Sequence, residues 1–246
     1  TKENYQNSPD LYYSWIDYKK GTLTEKKVTS LNPQQSAYTW GTSELYHWTT
    51  FNGHKAEGIV YKPENYDPKK KYPLICHYYE GLRVFGPDLN KYEAPSPSRQ
   101  SINISYFVSR GYVVFVPGIS FTLGEPCAST YDFVVSGVES LINEGFIDKN
   151  KMGIQGGSFG GYETFCLITK TNMFKAAWAS VPVGNLITQY GLTHGLGGAG
   201  HGLVENGHFR MNAKLWDDVG RYIENSPYFH LENVTTPTVI VSNEND

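Results

Sequence analysis

The sequence predicts an α/β fold in which a mainly parallel sheet carries helices on both faces. Three observations lead there. Short runs rich in Val, Ile, Leu and aromatic residues recur at 72–79, 112–116, 151–155, 176–181 and 238–242. Between them, apolar residues return at helical spacing, most clearly Val134, Val138, Leu141 and Ile142. Strands that alternate with helices at such separations are joined by crossovers, which makes them parallel. A chain of 246 residues is long enough to bury one full-sized core.

In chain order, residues 1–40 are polar, rich in Thr, Asn, Lys and Tyr, with only short strand-like pieces such as 11–16. They read as a remnant separate from the domain that begins near residue 41. Residues 44–51 and 54–61 flank Asn52-Gly53, which reads as a two-residue hairpin turn. Residues 72–79 form an apolar, buried strand. A helix over 98–109 stops before Gly111, and the β-branched run 112–116 is closed by Pro117. The helix around Val134 ends at Gly145. A short strand at 151–155, a helix at 162–169 and strands at 176–181 and 238–242 complete the pattern, the last entered through Pro237. Residues 191–202 crowd glycine and histidine together and break the alternation, as a loop or lid would.

Composition excludes some functions. A net charge of −3, from 21 basic and 24 acidic residues, supplies no field that would gather nucleic acid or an anionic membrane. No apolar run approaches the roughly 20 residues needed to cross a bilayer. Cys76, Cys127 and Cys166 are odd in number and widely spaced, so they predict neither a disulfide framework nor a zinc motif. Cys166 is expected to pack behind the nucleophile described next.

Gly156-Gly157-Ser158-Phe159-Gly160 fits the nucleophile elbow G-x-S-x-G, with a strand before it and a helix after it. The turn is tight and the serine strained, so glycines at 156 and 160 leave room for strand and helix to approach. The helix N-terminus brings a positive dipole end to the place where an oxyanion would form. This context defines an α/β-hydrolase fold with Ser158 as nucleophile. A serine hydroxyl needs a base, usually His, and an acid to orient it; in these folds the order is Ser, acid, His. The acid belongs just past a later strand, and the strand at 238–242 is followed by Glu244 and Asp246, between which spacing does not choose.

The segments KYPLICHYYEG, GIQGGSFGGYETF, WASVPVGN and ENSPYFHLENVTTPTVIVSNEND resemble the catalytic domain of the prolyl oligopeptidase family, nearest its dipeptidyl-peptidase IV and acylaminoacyl-peptidase branches. The resemblance runs from about residue 40 to residue 246. It implies a serine peptidase that hydrolyses short peptides through an acyl-enzyme on Ser158, without a cofactor. It selects Asp246 as the acid, through the family's small-x-x-Asp ending, and places the histidine base beyond residue 246. The expectation is therefore a catalytic domain whose C-terminal part is missing, inactive as it stands, from a protein longer at both ends. The resemblance further implies that Tyr79 and the Phe159 N–H bind the oxyanion, and that Val183 lines the acyl-side pocket. Leu186 and Gln189 stand where the family places large aromatics, which argues against a simple proline preference. Residues 1–40 would be the end of a preceding β-propeller and its exit linker. An esterase-type hydrolase, a catalytically idle binding module and a homo-oligomer all stay open on the residues alone.

Two further signals are discounted. Residues 195–200 match G-x-G-x-x-G but follow no strand, and no helical pattern opens after them, so they fail the dinucleotide-site context. His194, His201 and His208 recur every seventh residue, but a glycine-rich loop gives them no common face and no metal site is expected.

Overall fold

The apolar runs of the sequence become the strands of one twisted sheet in the computed structural model, which describes residues 1–80, 92, 102–193 and 198–243. In chain order the strands are β1 (Lys2–Asn4), β2 (Asn7–Asp10), β3 (Tyr12–Asp17), β4 (Thr22–Lys27), β5 (Thr42–Thr49), β6 (Lys55–Lys62), β7 (Tyr72–His77), β8 (Val113–Pro117), β9 (Ile147–Gly157), β10 (Ala176–Ser180) and β11 (Thr238–Val241). The helices are α1 (Ile104–Val108), α2 (Pro126–Asn143), α3 (Phe159–Lys170), α4 (Leu186–Gly191), α5 (Gly200–Glu205) and α6 (Val219–Glu224). The main sheet has the order β11-β10-β9-β7-β8-β6-β5. Its β7–β8, β7–β9, β9–β10 and β10–β11 pairs are parallel, while β5 and β6 form an antiparallel flank.

Side-chain alternation on the strands sorts the core onto two faces. Val60, Val113 and Phe115 face α2, whose Val134, Val138 and Leu141 are fully buried there. Ile59, Tyr61, Val114 and Val116 face the other way, onto Ile104 and Val108 of α1. Helices thus cover both faces, as the pattern of the sequence predicts.

Several boundaries differ from expectation. Five residues, 50–54, separate β5 from β6, and three of them (51–53) loop out between the hydrogen-bonded Thr50 and His54, instead of a two-residue turn. Gly53 donates to Thr50 O at 3.0 Å, Thr50 donates to His54 O at 2.9 Å, and Gly53 takes the positive φ of 83° that this loop requires. Strand β9 runs over eleven residues: Ile147 pairs with Tyr72 of β7 and Met152 with Leu74, and the register shifts between those two pairs, where the polar residues 148–151 lie. The helix expected over 98–109 is shorter: residues 102 and 103 are not helical, Asn103 caps the N-terminus of α1, and residues 98–101 lie outside the described residues. Residues 1–27 hold two antiparallel hairpins, β1–β2 and β3–β4, where only strand-like pieces are read from sequence. The β3–β4 ribbon leaves almost every side chain in solvent, so it has no period-two apolar pattern to reveal it. Tyr5, in contrast, is buried against Tyr61 and Trp40, and its hydroxyl donates to Trp40 O at 2.9 Å.

The cysteines also depart from their expected role. Cys127 in the first turn of α2 and Cys166 in α3 form a disulfide, their Cα atoms 5.1 Å apart and 39 residues apart in sequence. Spacing carries no trace of this pair, because only the packing of α2 on α3 brings them together. Cys76 stays a buried free thiol. In the chain-entropy account, closing a 39-residue loop is worth about 4 kcal/mol. Cys127→Ala in the full-length protein should lower the urea midpoint accordingly, and non-reducing peptide maps of the wild type should recover the two cysteine peptides linked. Recovery of both peptides as free thiols would remove the bridge.

Candidate active site

Parallel strands gather functional groups beyond their carboxyl ends. Ser158 follows β9 directly, Tyr79 lies two residues beyond β7, Val181 follows β10 and Ser242 follows β11. Ser158 has φ 55° and ψ −117°, a left-handed conformation that costs a non-glycine residue of order 1–3 kcal/mol. Its surroundings hold it there. The Ser158 N–H donates to Ser180 O at 2.8 Å, and Ser158 O accepts from the N–H groups of Gly161 and Tyr162 at 2.9 and 3.1 Å. A Cβ at Gly156 would stand 2.1 Å from Gly160 O, and one at Gly160 would stand 2.6 Å from Tyr78 O. Both positions therefore admit only glycine, because strand, turn and helix meet backbone to backbone.

Phe159 opens α3, so its N–H has no acceptor within the helix and points where a negative charge would be met by the dipole. The Tyr79 side chain is in polar contact with that of Ser158, and its ring lies 6.1 Å from that of Phe159. Burial pushes the Tyr79 phenol up from its ordinary range, a polar contact with the Ser158 side chain pulls it down, and the Glu163 and Glu80 charges push it up again. The result is a phenol that keeps its proton at neutral pH and can donate it in a hydrogen bond.

A cleft of about 1050 Å³ opens on Ser158, and Val183, Gln189, His208 and Ser242 line it. Val181, at φ 43°, lies in its wall and donates its N–H to Val241 O at 2.6 Å. Of the residues expected to form the acyl-side pocket, Val183 and Gln189 reach the cleft and Leu186 does not. The Asn185 side chain caps α4 by accepting from the N–H groups of Ile187 and Thr188, and the Leu186 N–H is held by Ser226 Oγ at 2.9 Å. That register turns Thr188 and Gln189 to the cleft and buries Leu186 completely beside Phe159 and Tyr162. Asp246 and its competitor Glu244 lie outside the described residues, as do His194 and residues 195–197 of the G-x-G-x-x-G stretch. Against expectation, a helix (α5) does open at Gly200; the segment before it is preceded by α4 and not by a strand, so the dinucleotide context still fails.

Four residues at the site were not singled out by sequence reasoning for the place they occupy. His208, set aside there as part of a histidine repeat, stacks on Phe159 with ring centroids 4.0 Å apart and planes 9° from parallel, and its ring lies 5.5 Å from that of Tyr79. Burial pulls its imidazole below the usual histidine range; the Glu80 charge pushes it up and Arg210 pushes it down. Arg210 forms an ion pair with Glu80, whose side chain is only 13% exposed. Arg210 is itself in the left-handed region, at φ 49°. The fourth is Glu163, completely buried in α3 and accepting a hydrogen bond from the Glu80 N–H at 3.2 Å. Its other oxygen has no hydrogen-bond partner among the described residues. A sequence signal for it existed: a single carboxyl within the buried run Tyr162, Thr164, Cys166, Leu167.

A serine elbow at the carboxyl edge of a mainly parallel sheet, with helices on both faces, defines the α/β-hydrolase fold. The profile of the prolyl oligopeptidase family matches residues 123–246, and the chain belongs to that family. Among curated relatives, the uncharacterized peptidase YuxL of Bacillus subtilis is 26% identical over 229 residues, covering 90% of this chain and 33% of that protein. Dipeptidyl-peptidase 5 of Porphyromonas endodontalis is 28% identical over 255 residues, covering 96% of this chain and 34% of that protein. Acylaminoacyl peptidase of Pyrococcus horikoshii shares the fold with a TM-score of 0.72 at 18% identity, over 98% of this chain and 37% of its own. The chain thus spans about a third of the length of these relatives.

Burial raises the Glu163 carboxyl well above its ordinary value, the charge of Glu80 adds to this, and the Glu80 N–H and Arg210 act the other way. Cys76, Tyr78 and Tyr162, the other ionisable groups around it, are raised as well and stay neutral at neutral pH. Folded Glu163 therefore holds its proton to a higher pH than the unfolded chain, whose carboxyl titrates near its ordinary value of 4.5. Its contribution to stability is largest below that value and falls as pH rises towards the folded pKa. Glu163→Gln cannot ionise, so its urea midpoint relative to wild type should climb as pH rises above 4.5. A difference independent of pH would show that Glu163 is ionised in the folded protein.

Proposed function

We propose that this chain carries the nucleophile and oxyanion site of a serine peptidase acting on short peptides. The observation that carries the reading is the strained Ser158 elbow with a protonated Tyr79 hydroxyl at its side. In this reading Ser158 Oγ attacks the scissile carbonyl while its proton passes to a histidine base, which Asp246 orients. The oxyanion accepts from the Phe159 N–H and the Tyr79 hydroxyl. Collapse of the tetrahedral intermediate returns the proton to the leaving amine and leaves an ester on Ser158. Water then adds to that ester through the same oxyanion site and releases the acid.

Val183 and Gln189 would contact the residue on the acyl side of the cleaved bond. A valine beside a glutamine makes that wall half apolar and half hydrogen-bonding, which suits side chains larger and more polar than proline. We assign residues 1–40 to the end of a preceding β-propeller and its linker, a reading supported by the two hairpins and by the exposed Tyr13, Trp15 and Leu23 on β3 and β4. The names of the relatives, a dipeptidyl-peptidase and an acylaminoacyl peptidase, favour short peptides over folded proteins as substrates.

In the full-length protein, Ser158→Ala should abolish hydrolysis of peptide p-nitroanilides and labelling by a fluorophosphonate, with an unchanged melting curve. Wild-type turnover by a folded Ser158→Ala protein would end the assignment. Tyr79→Phe should lower kcat by roughly 10²–10³ with KM little changed, since this hydrogen bond strengthens in the transition state. Equal kcat values would return Tyr79 to the role of a wall aromatic.

A further inference from the structure

We propose that Glu163 and Thr164 form a clamp that fixes Tyr79 relative to Ser158, which makes them positioning residues for the oxyanion hydroxyl. The proposal rests on the role of Tyr79 given above. Tyr79 lies beyond the last residue of β7, so the sheet ladder does not hold it directly. Its two neighbours are held instead, and by adjacent residues of the helix that begins at the nucleophile. On one side, the Tyr78 hydroxyl lies 3.0 Å from Thr164 Oγ1. The Thr164 hydroxyl donates its own proton to Gly160 O at 2.8 Å, so Tyr78 must be the donor in this pair. On the other side, the Glu80 N–H donates to Glu163 Oε2 at 3.2 Å.

The side chains of Tyr78, Glu163 and Thr164 are wholly buried, so water does not compete for these bonds. Between them, Gly160 brings the first turn of α3 against the Tyr78 carbonyl, at a distance that excludes even a methyl group. The segment 78–80 is thus fastened to α3 at three points: one side chain, one backbone contact and one amide. Ser158 and Phe159 lead into the same helix. Nucleophile, oxyanion N–H and oxyanion hydroxyl are therefore referenced to one rigid body. The arrangement matters because an oxyanion donor must stand about 2.7–3.1 Å from where charge develops. A misplacement of about 1 Å can cost on the order of 10² in rate.

The test uses the full-length protein and the peptide p-nitroanilide that it turns over best. Thr164→Val keeps the shape and removes the acceptor for Tyr78; Glu163→Leu removes the acceptor for the Glu80 N–H. Each should lower kcat by roughly 10-fold or more with KM within about twofold, up to the loss seen for Tyr79→Phe. Glu163→Gln, whose amide oxygen can still accept from Glu80, should recover most of the rate. In a Tyr79→Phe background, both Thr164→Val and Glu163→Leu should have little further effect, because the group they position is gone. If Glu163→Leu does not fold, Thr164→Val and Glu163→Gln carry the test alone. Unchanged kcat in a folded Thr164→Val protein, or equal losses with and without the Tyr79 hydroxyl, overturns the clamp and leaves the role of Tyr79 standing. A Tyr79→Phe enzyme as active as wild type overturns both together.

Discussion

The approach of α3 to the ends of β7 and β9 is the constraint on which the site depends. Three backbones meet within contact distance: Gly156 against Gly160, Gly160 against Tyr78, and Ser158 against Ser180. At Gly156 and Gly160 the approach leaves no space even for a Cβ, and the Ser158 N–H is held on Ser180 O. These contacts force Ser158 into its positive φ, and they place the start of a twelve-residue helix directly under the serine. The strain at Ser158 is local, whereas the packing that sustains it extends through Tyr78, Thr164 and the core below. The energy stored in one dihedral pair is held by many ordinary contacts.

That constraint also explains which parts of the protein were legible in the sequence. The elbow was legible because its chemistry is local: glycines are required within two residues of the serine, and a strand and a helix must flank it. The central strands were legible because burial on both faces makes them continuous apolar runs. The β3–β4 ribbon was not, since its side chains face solvent and no period separates in from out. Leu186 shows a subtler limit. Its position in a motif suggests the pocket, but the capping of α4 by Asn185 decides which face it occupies and turns it into the core; its own N–H is held by Ser226, 40 residues away.

The residues that were missed share one property: their roles come from partners distant in sequence. His208 lies 49 residues beyond Phe159, and only the fold lays one ring on the other. Glu80 and Arg210 meet across the whole middle of the chain. Glu163 could have been found, because a lone carboxyl among buried aromatic and aliphatic residues is costly to bury and needs a reason. Its reason is the Glu80 amide, which closes the segment that carries Tyr79.

The bridge between Cys127 and Cys166 has a consequence for how the protein is made. It encloses β9 and the nucleophile, so it closes on the part of the chain that holds the strained turn. Thiols are kept reduced in most cytosols and are oxidised in export compartments. Two preparations of identical sequence, one from each kind of compartment, would therefore differ by a covalent link. The reduced form would reach its folded state through packing alone and would open more often around Ser158. Loss of activity on storage would then track thiol chemistry in the preparation, and a choice of expression host becomes a choice between two chemical forms of the same protein.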